Sequence, residues 1–227
     1  MSIDPVRIAI EDGGTVGGLL VVPEHPVACY VMAHGAGAGM SHPFMNAFAN
    51  ELAALRVATL RYQFPYMERG SKRPDAPAEA HAAVRAAVGE AQRSCPGIPL
   101  FAGGKSYGGR MTSQAQAIGP LPGVHGLVFV GFPLHPPGKP SDERARHLDD
   151  VRIPMLFLTG GRDEFAQLPL LEPAVDRLGE RATLTLFEDA DHSLHVPART
   201  GRKDADVRRE AAATAASWMQ AVIMERP

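Results

Sequence analysis

The decisive stretch of this sequence is Gly104-Lys105-Ser106-Tyr107-Gly108, which stands between an apolar run, residues 98–102, and a helical segment, residues 109–118. It follows the pattern Gly-x-Ser-x-Gly, in which the serine lies on a tight turn from a strand into a helix. Such a turn strains the serine backbone, and glycines two positions to either side let neighbouring main chain approach closely. We therefore predict that Ser106 presents its hydroxyl above a sheet as a candidate nucleophile.

Two glycine-rich stretches also invite comparison with nucleotide-binding loops. Residues 104–106 resemble the end of a phosphate-binding loop, but that motif needs a glycine five residues before Gly104, where the sequence has Pro99. Residues 35–39 resemble a dinucleotide fingerprint, but Met40 stands at its third glycine position and the next predicted strand ends at Arg61 instead of an acid. Because an arginine there suits the 2′-phosphate of NADP, an NADP-binding oxidoreductase stays open as a hypothesis.

Short apolar or β-branched runs alternate with longer Ala- and Leu-rich segments, which is typical of a sheet covered by helices. The first two runs flank the turn-rich Asp12-Gly13-Gly14 and predict an antiparallel hairpin at one edge of the sheet. The predicted strands are residues 6–10, 18–22, 27–33, 57–62, 98–102, 127–130, 155–159 and 184–187. The predicted helices are residues 43–55, 78–91, 109–118 and 206–224, and residues 174–178 are predicted to be part of a further helix.

Length and composition narrow the function classes. The chain has 227 residues, which predicts a single domain over residues 1–227. Hydrophobic residues make up 45% and charged residues 21%, as in a globular protein with a buried core. With 23 Lys and Arg against 25 Asp and Glu, the net charge of −2 lacks the cationic character that binds phosphate backbones. We expect no nucleic-acid partner.

Cysteine spacing and the N-terminus give further expectations about disulfides, metals and location. Cys29 and Cys95 stand far apart, without the ligand spacing of a zinc site, so we predict neither a disulfide nor a metal centre. The first residues lack the basic and apolar regions of a signal peptide, and no apolar run is long enough to cross a bilayer. We expect a cytoplasmic protein without a membrane partner, and the oligomeric state stays open.

A serine is a weak nucleophile unless a base removes its proton and an acid orients that base. Asp163 follows the seventh predicted strand, and His192 follows the eighth. Both positions lie at the carboxyl ends of strands, where α/β sheets place their functional sites. Asp163 is therefore the candidate acid and His192 the candidate base, with Glu164 and His195 as neighbouring rivals.

Acyl transfer also needs N–H donors for the oxyanion that forms in the transition state. We expect these from the amides of Tyr107, directly after the nucleophile, and of Ala36, in the loop after the third predicted strand. His34, just before that loop, is interpreted as a structural hydrogen-bonding residue.

The substrate itself cannot be read from the sequence. Candidate substrate-binding residues are Tyr66, Met67, Leu134 and His135, because their segments follow strands at the same end of the sheet, although such proline-rich segments are also ordinary surface loops. Residues 131–152 are too few for a helical cap domain, and their prolines predict a short, stiff flap.

With these residues in place, the sequence resembles the α/β-hydrolases, and among them the small hydrolases without a lid that are similar to dienelactone hydrolase. The resemblance covers nearly the whole chain. More narrowly, three stretches resemble a group of predicted bacterial hydrolases whose animal relatives include a testis-expressed hydrolase-like protein and a subunit of a histone acetyltransferase complex. These stretches are Arg61-Tyr62-Gln63-Phe64-Pro65-Tyr66-Met67-Glu68, Phe132-Pro133-Leu134-His135-Pro136-Pro137-Gly138-Lys139 and Arg162-Asp163-Glu164-Phe165.

The resemblance implies an α/β-hydrolase fold: a mostly parallel sheet with an antiparallel N-terminal edge, helices on both faces and no cap domain. It also implies an esterase-type triad of Ser106, Asp163 and His192, with oxyanion donors at Ala36 and Tyr107. Dienelactone hydrolase has a cysteine at the position of Ser106, so its lactone specificity does not carry over.

The sequence thus predicts a carboxylesterase-like serine hydrolase that cleaves ester or thioester bonds of small substrates through an acyl-enzyme, without a metal or organic cofactor. The alternative is a non-catalytic binding or scaffold module that retains the fold, because the chromatin-linked relatives show that such a use is open to it.

Overall fold

The computed structural model describes residues 2–11 and 14–225, so Asp12 and Gly13 of the predicted hairpin turn lie outside the described residues. Among the described residues, no helix has both the length and the apolar character needed to cross a membrane. The strands are β1 (Asp4–Ala9), β2 (Thr15–Val21), β3 (Ala28–Ala33), β4 (Val57–Tyr62), β5 (Leu100–Lys105), β6 (Val124–Val130), β7 (Met155–Gly160) and β8 (Ala182–Phe187). The helices are α1 (Pro43–Ala54), α2 (Pro65–Glu68), α3 (Pro77–Ser94), α4 (Tyr107–Ile118), α5 (Leu168–Asp176) and α6 (Asp204–Met224).

The eight strands form one sheet in the order β1-β2-β4-β3-β5-β6-β7-β8. β2 pairs antiparallel with both β1 and β4, whereas every other pair of neighbouring strands is parallel. The prediction of a mostly parallel sheet with an antiparallel N-terminal edge is therefore confirmed. Because β3 to β8 run the same way, the loops at their carboxyl ends meet at one edge of the sheet.

Two apolar cores lie on opposite faces of the sheet. One core packs α3 and α4 against the sheet and includes Val84 and Met111. The other packs α1 and α6 against it and includes Phe48 and Met219. Alanines dominate the buried positions of α3 and α6, and their small side chains let these helices lie close to the strands.

β5 ends at Lys105, three residues later than predicted, and close packing around the turn that follows it requires glycine at positions 104 and 108. A Cβ atom on Gly104 would lie 2.2 Å from the carbonyl oxygen of Ala33, and one on Gly108 would lie 2.5 Å from the same oxygen. Only glycine fits at these two positions, so β3 approaches the turn between β5 and α4 directly. The predicted strand stopped at residue 102, before Gly103 and Gly104, and that boundary was wrong.

The connection between β6 and β7 carries no cap domain in the part of the chain that the structure describes. Its one regular element is a 3-10 helix at Glu143–Asp150, which buries Ala145 and Leu148. His147 Nε2 lies 2.7 Å from the Ser113 hydroxyl of α4, so the segment is held against that helix. The sheet edge above β5 is left open by this arrangement.

Candidate active site

Ser106 lies at the turn from β5 into α4 with a φ of 50° and a ψ of −116°. A positive φ is strained for a residue with a side chain, so the surrounding structure must hold it. The Ser106 N–H donates to the carbonyl of Val130 at 3.0 Å, which ties the turn to the end of β6.

Ser106, His192 and Asp163 are joined by a continuous chain of hydrogen bonds. Ser106 Oγ lies 2.8 Å from His192 Nε2, and His192 Nδ1 lies 2.8 Å from Asp163 Oδ2. The second carboxylate oxygen, Oδ1, accepts the N–H of Phe165 at 2.8 Å. Because a carboxylate only accepts, it favours the ring proton on Nδ1 and leaves Nε2 able to accept the serine proton.

The neighbouring rivals lie outside this chain of bonds. Glu164 is exposed, whereas the Asp163 side chain is fully buried. His195 is also exposed, and its Nδ1 pairs with the carboxylate of Asp204 at 2.9 Å. The structure thus brings Asp163 and His192 to Ser106 and places Glu164 and His195 elsewhere.

His34 holds the loop that carries the Ala36 amide. Its Nδ1–H donates to the carbonyl of Gly35 at 2.7 Å, and its Nε2 accepts the N–H of Phe64 at 3.1 Å. Burial lowers the pKa of His34 to about 4, so the ring is neutral, as this pair of bonds requires. Since the C=O and N–H of a trans peptide point in opposite directions, the bond to Gly35 directs the Ala36 N–H away from His34.

A cavity of about 330 Å³ opens over Ser106. Its lining is mostly apolar, with Phe44 and Met45 from the start of α1 and Phe165 from the loop after β7. Ala36 and Lys105 also line it, and neither the sequence motif nor its spacing had marked Lys105 or Phe165 as functional. The His192 ring lies against Phe165, with 4.3 Å between the ring centroids.

Tyr66 and Met67, which the sequence predicts to be substrate-binding residues, are not among the residues that line this cavity. Tyr66 is 1% exposed, and its hydroxyl accepts the N–H of Gly37 at 3.1 Å. Met67 Cε lies 3.3 Å from the point where a Cβ of Gly39 would stand. Both side chains, which α2 carries, therefore contact the loop of residues 35–39 and support it.

Leu134 and His135, the other two predicted substrate-binding residues, are also absent from the cavity lining. Both are buried, and their N–H groups donate to the carbonyl of Phe165 at 2.8 and 3.2 Å. The His135 Nδ1–H donates to the carbonyl of Pro136 at 2.8 Å. These residues fix the backbone of Phe165, which is the residue that reaches the cavity.

The electrostatic environment favours a neutral His192. Burial lowers the pKa of its imidazole below the ordinary value of 6.5. The hydrogen bond to Asp163 raises this pKa, and the positive charge of Lys105 lowers it again. A neutral imidazole is the form that can accept a proton from Ser106.

Comparison with known proteins identifies the family. Residues 26–220 match the family described as alpha/beta hydrolase domain, and the chain belongs to it. Dienelactone hydrolase from Anabaena variabilis has 20% identity to this chain and a TM-score of 0.77, over 96% of this chain and 97% of that one. A serine hydrolase without a lid from Xanthomonas campestris has 19% identity and a TM-score of 0.74, over 96% and 95% of the two chains. The prediction of an α/β-hydrolase is confirmed, and the fold is similar to that of a dienelactone hydrolase.

Proposed function

We propose that this hydrolase is a serine esterase that cleaves carboxylic ester or thioester bonds of small substrates through an acyl-enzyme. The observation that carries the proposal is the hydrogen-bond chain from Ser106 through His192 to the buried Asp163, at the base of an open cavity. A strained serine next to a neutral imidazole is the arrangement that nucleophilic catalysis requires.

In the first half of the reaction, Ser106 Oγ attacks the substrate carbonyl while His192 Nε2 takes the hydroxyl proton. The tetrahedral intermediate then expels the alcohol or thiol, which receives that proton from His192. In the second half, His192 takes a proton from water, the hydroxide attacks the acyl-enzyme, and the proton returns to Ser106 as the acid leaves. Asp163 orients the ring and stabilises the imidazolium, and no metal or organic cofactor enters these steps.

Two main-chain amides are placed to hold the oxyanion. Tyr107 is the first residue of α4, and the first N–H groups of a helix have no partner within it. Ala36 lines the cavity, and its N–H is directed away from His34. Each such donor contributes about 3 to 4 kcal/mol to the stabilisation of the transition state.

A direct test is a stopped-flow assay with p-nitrophenyl butyrate and with a butyryl thioester. We expect turnover of one or both, and a burst of p-nitrophenol when deacylation is the slower step. A binding module that only retains the fold would give neither turnover nor a fluorophosphonate adduct. An NADP-binding oxidoreductase would instead change the fluorescence of added NADPH.

The pKa of His192 predicts the pH dependence of the reaction. The base must be neutral, and a pKa lowered below 6.5 keeps it neutral to a lower pH than a free imidazole. We therefore expect kcat/KM to rise through an apparent pKa below 6.5 and to be level between pH 7 and 8, in an assay run from pH 4.5 upward. An acid limb centred above pH 7 would contradict this environment for His192.

The cavity and the short flap predict the range of substrates. About 330 Å³ with Phe44, Met45 and Phe165 in its lining suits a short or medium acyl chain. Since the described part of residues 131–152 forms only a 3-10 helix at Glu143–Asp150, no helical lid has to move. We expect plain saturation with a series of p-nitrophenyl esters from acetyl to palmitoyl, and falling kcat/KM at the long end. A jump in rate where the substrate forms micelles would show that the flap acts as a lid.

A further inference from the structure

Lys105 stands directly before Ser106, as the last residue of β5, and its side chain lines the cavity. Its ammonium Nζ donates a hydrogen bond to the main-chain carbonyl of His192. From the point where a Cβ of Gly131 would stand, Nζ is 3.0 Å away and His192 Cε1 is 3.2 Å away. The ammonium and the edge of the imidazole therefore share one small space beside Gly131.

Charged groups on three segments of the described chain act on the His192 ring. The groups that act on the His192 ring are Asp163, from the loop after β7, Lys105, from β5, and Asp191, from its own loop. Burial lowers the pKa of Lys105 to about 8, and the carboxylates of Asp163 and Asp191 oppose this shift. Lys105 is therefore still cationic at the pH at which His192 titrates.

We propose that Lys105 is a positioning residue for His192: its ammonium holds the loop that carries the imidazole and its charge keeps the ring in the neutral form. This inference rests on the proposed function of His192 as the base. The hydrogen bond to the carbonyl fixes where the loop places the ring. The like charge disfavours the imidazolium, so more of the base is available at mildly acidic pH.

The same charge also acts on the second proton transfer. An imidazole that is less basic is a stronger acid once it has been protonated, so it returns the proton more readily to the leaving alcohol or thiol. Asp163 pulls the pKa in the other direction, because it stabilises the imidazolium. Lys105 and Asp163 thus shift the pKa of His192 in opposite directions, in addition to the lowering by burial.

The test is an NMR titration of the His192 ring in the wild type, Lys105→Met, Lys105→Arg and Lys139→Met. The chain has nine histidines, so the His192 signal is identified by its loss in His192→Gln. Lys139 is exposed, and its replacement by methionine changes the net charge by the same amount as that of Lys105. We expect the pKa of His192 to rise by about one unit in Lys105→Met and to stay unchanged in Lys139→Met. Lys105→Arg, which keeps the charge, should stay near the wild type.

The acid limb of kcat/KM should move by the same amount. A rise of one unit lowers the neutral fraction of His192, and with it the activity, by up to about tenfold on the acid limb and leaves both nearly unchanged at pH 8. A His192 ring that titrates in Lys105→Met as it does in the wild type overturns the proposal, and so does a uniform loss of activity without movement of the limb. Either outcome leaves the esterase proposal intact as long as the wild-type protein hydrolyses esters. If the wild-type protein does not hydrolyse esters, the proposed function fails, and the NMR titration still decides the effect of Lys105 on the His192 ring.

A second neutral variant covers the case in which Lys105→Met does not fold. Lys105→Gln removes the charge but keeps an N–H donor for the His192 carbonyl. We expect the same rise in the pKa of His192, with a circular dichroism melt to show that the variant is folded. A folded Lys105→Gln with a wild-type titration overturns the electrostatic role of Lys105.

Discussion

Replacement of Ser106 by alanine is expected to lower kcat/KM for p-nitrophenyl butyrate by about four to six orders of magnitude, as the loss of a triad nucleophile does. The hydroxyl is the atom that attacks the carbonyl, and no other side chain can supply it at the same position. His192 Nε2 would then face a methyl group instead of the hydroxyl 2.8 Å away. Steady-state hydrolysis with purified protein measures the effect.

Ser217→Ala is the matched control for this experiment. Ser217 is exposed on α6, far from the carboxyl edge of the sheet, and its replacement should leave kcat/KM at the wild-type value. If Ser106→Ala retained substantial activity, the turn between β5 and α4 would not hold the nucleophile.

Asp163→Asn is expected to lower kcat by about four orders of magnitude while the protein stays folded. The asparagine has nearly the same shape, but its amide group can donate to Nδ1 of His192. The ring proton then lies on Nε2, so Nε2 cannot accept the proton of Ser106. Ester hydrolysis measures the loss, and a thermal melt shows whether the fold is kept.

Glu164→Gln serves as the neighbouring control. Glu164 is exposed, whereas the Asp163 carboxylate is buried and bonded to the ring. Glu164→Gln should therefore keep wild-type activity. If Glu164→Gln lowered the activity and Asp163→Asn did not, the acid of the triad would be Glu164 and not Asp163.

Much of the fold could be predicted because its strands are apolar and its helices follow a clear period. The predicted strand at residues 57–62 coincides with β4, and the predicted helix at residues 43–55 differs from α1 by one residue. β6 begins at Val124, three residues before the predicted strand. His125 and Gly126 interrupt the apolar pattern there, so the pattern does not reveal the true start of the strand. A Cβ on Gly126 would stand 2.7 Å from Cη2 of Trp218, so glycine leaves room for the indole ring, in a contact that only the folded chain creates.

α5 shows a second kind of error. The prediction recognised only residues 174–178 as part of a helix, and it left the residues up to Pro173, which removes a backbone donor, unassigned. In the structure α5 begins at Leu168 and contains Pro173. Packing of Leu171 and Val175 into the core stabilises a helix that the local sequence disfavours.

The residues of the candidate site also fall into those that the sequence could predict and those that it could not. Ser106, Asp163 and His192 could be named because each follows a strand, and parallel strands bring such positions to one edge. The cavity lining could not be named, because it depends on the direction of single side chains within loops. Tyr66 and Leu134 follow strands as well, but they lie behind the loops that carry Ala36 and Phe165.

Covalent labelling with a fluorophosphonate, read by intact mass and by peptide mapping, tests the central claim most directly. A fluorophosphonate forms a stable adduct only with a serine that a neighbouring base activates. We predict one adduct per chain on the peptide that contains Ser106, none in Ser106→Ala, much slower labelling in His192→Gln and a wild-type rate in His195→Gln. A wild-type protein that forms no adduct, or an adduct that persists in Ser106→Ala, would contradict the account.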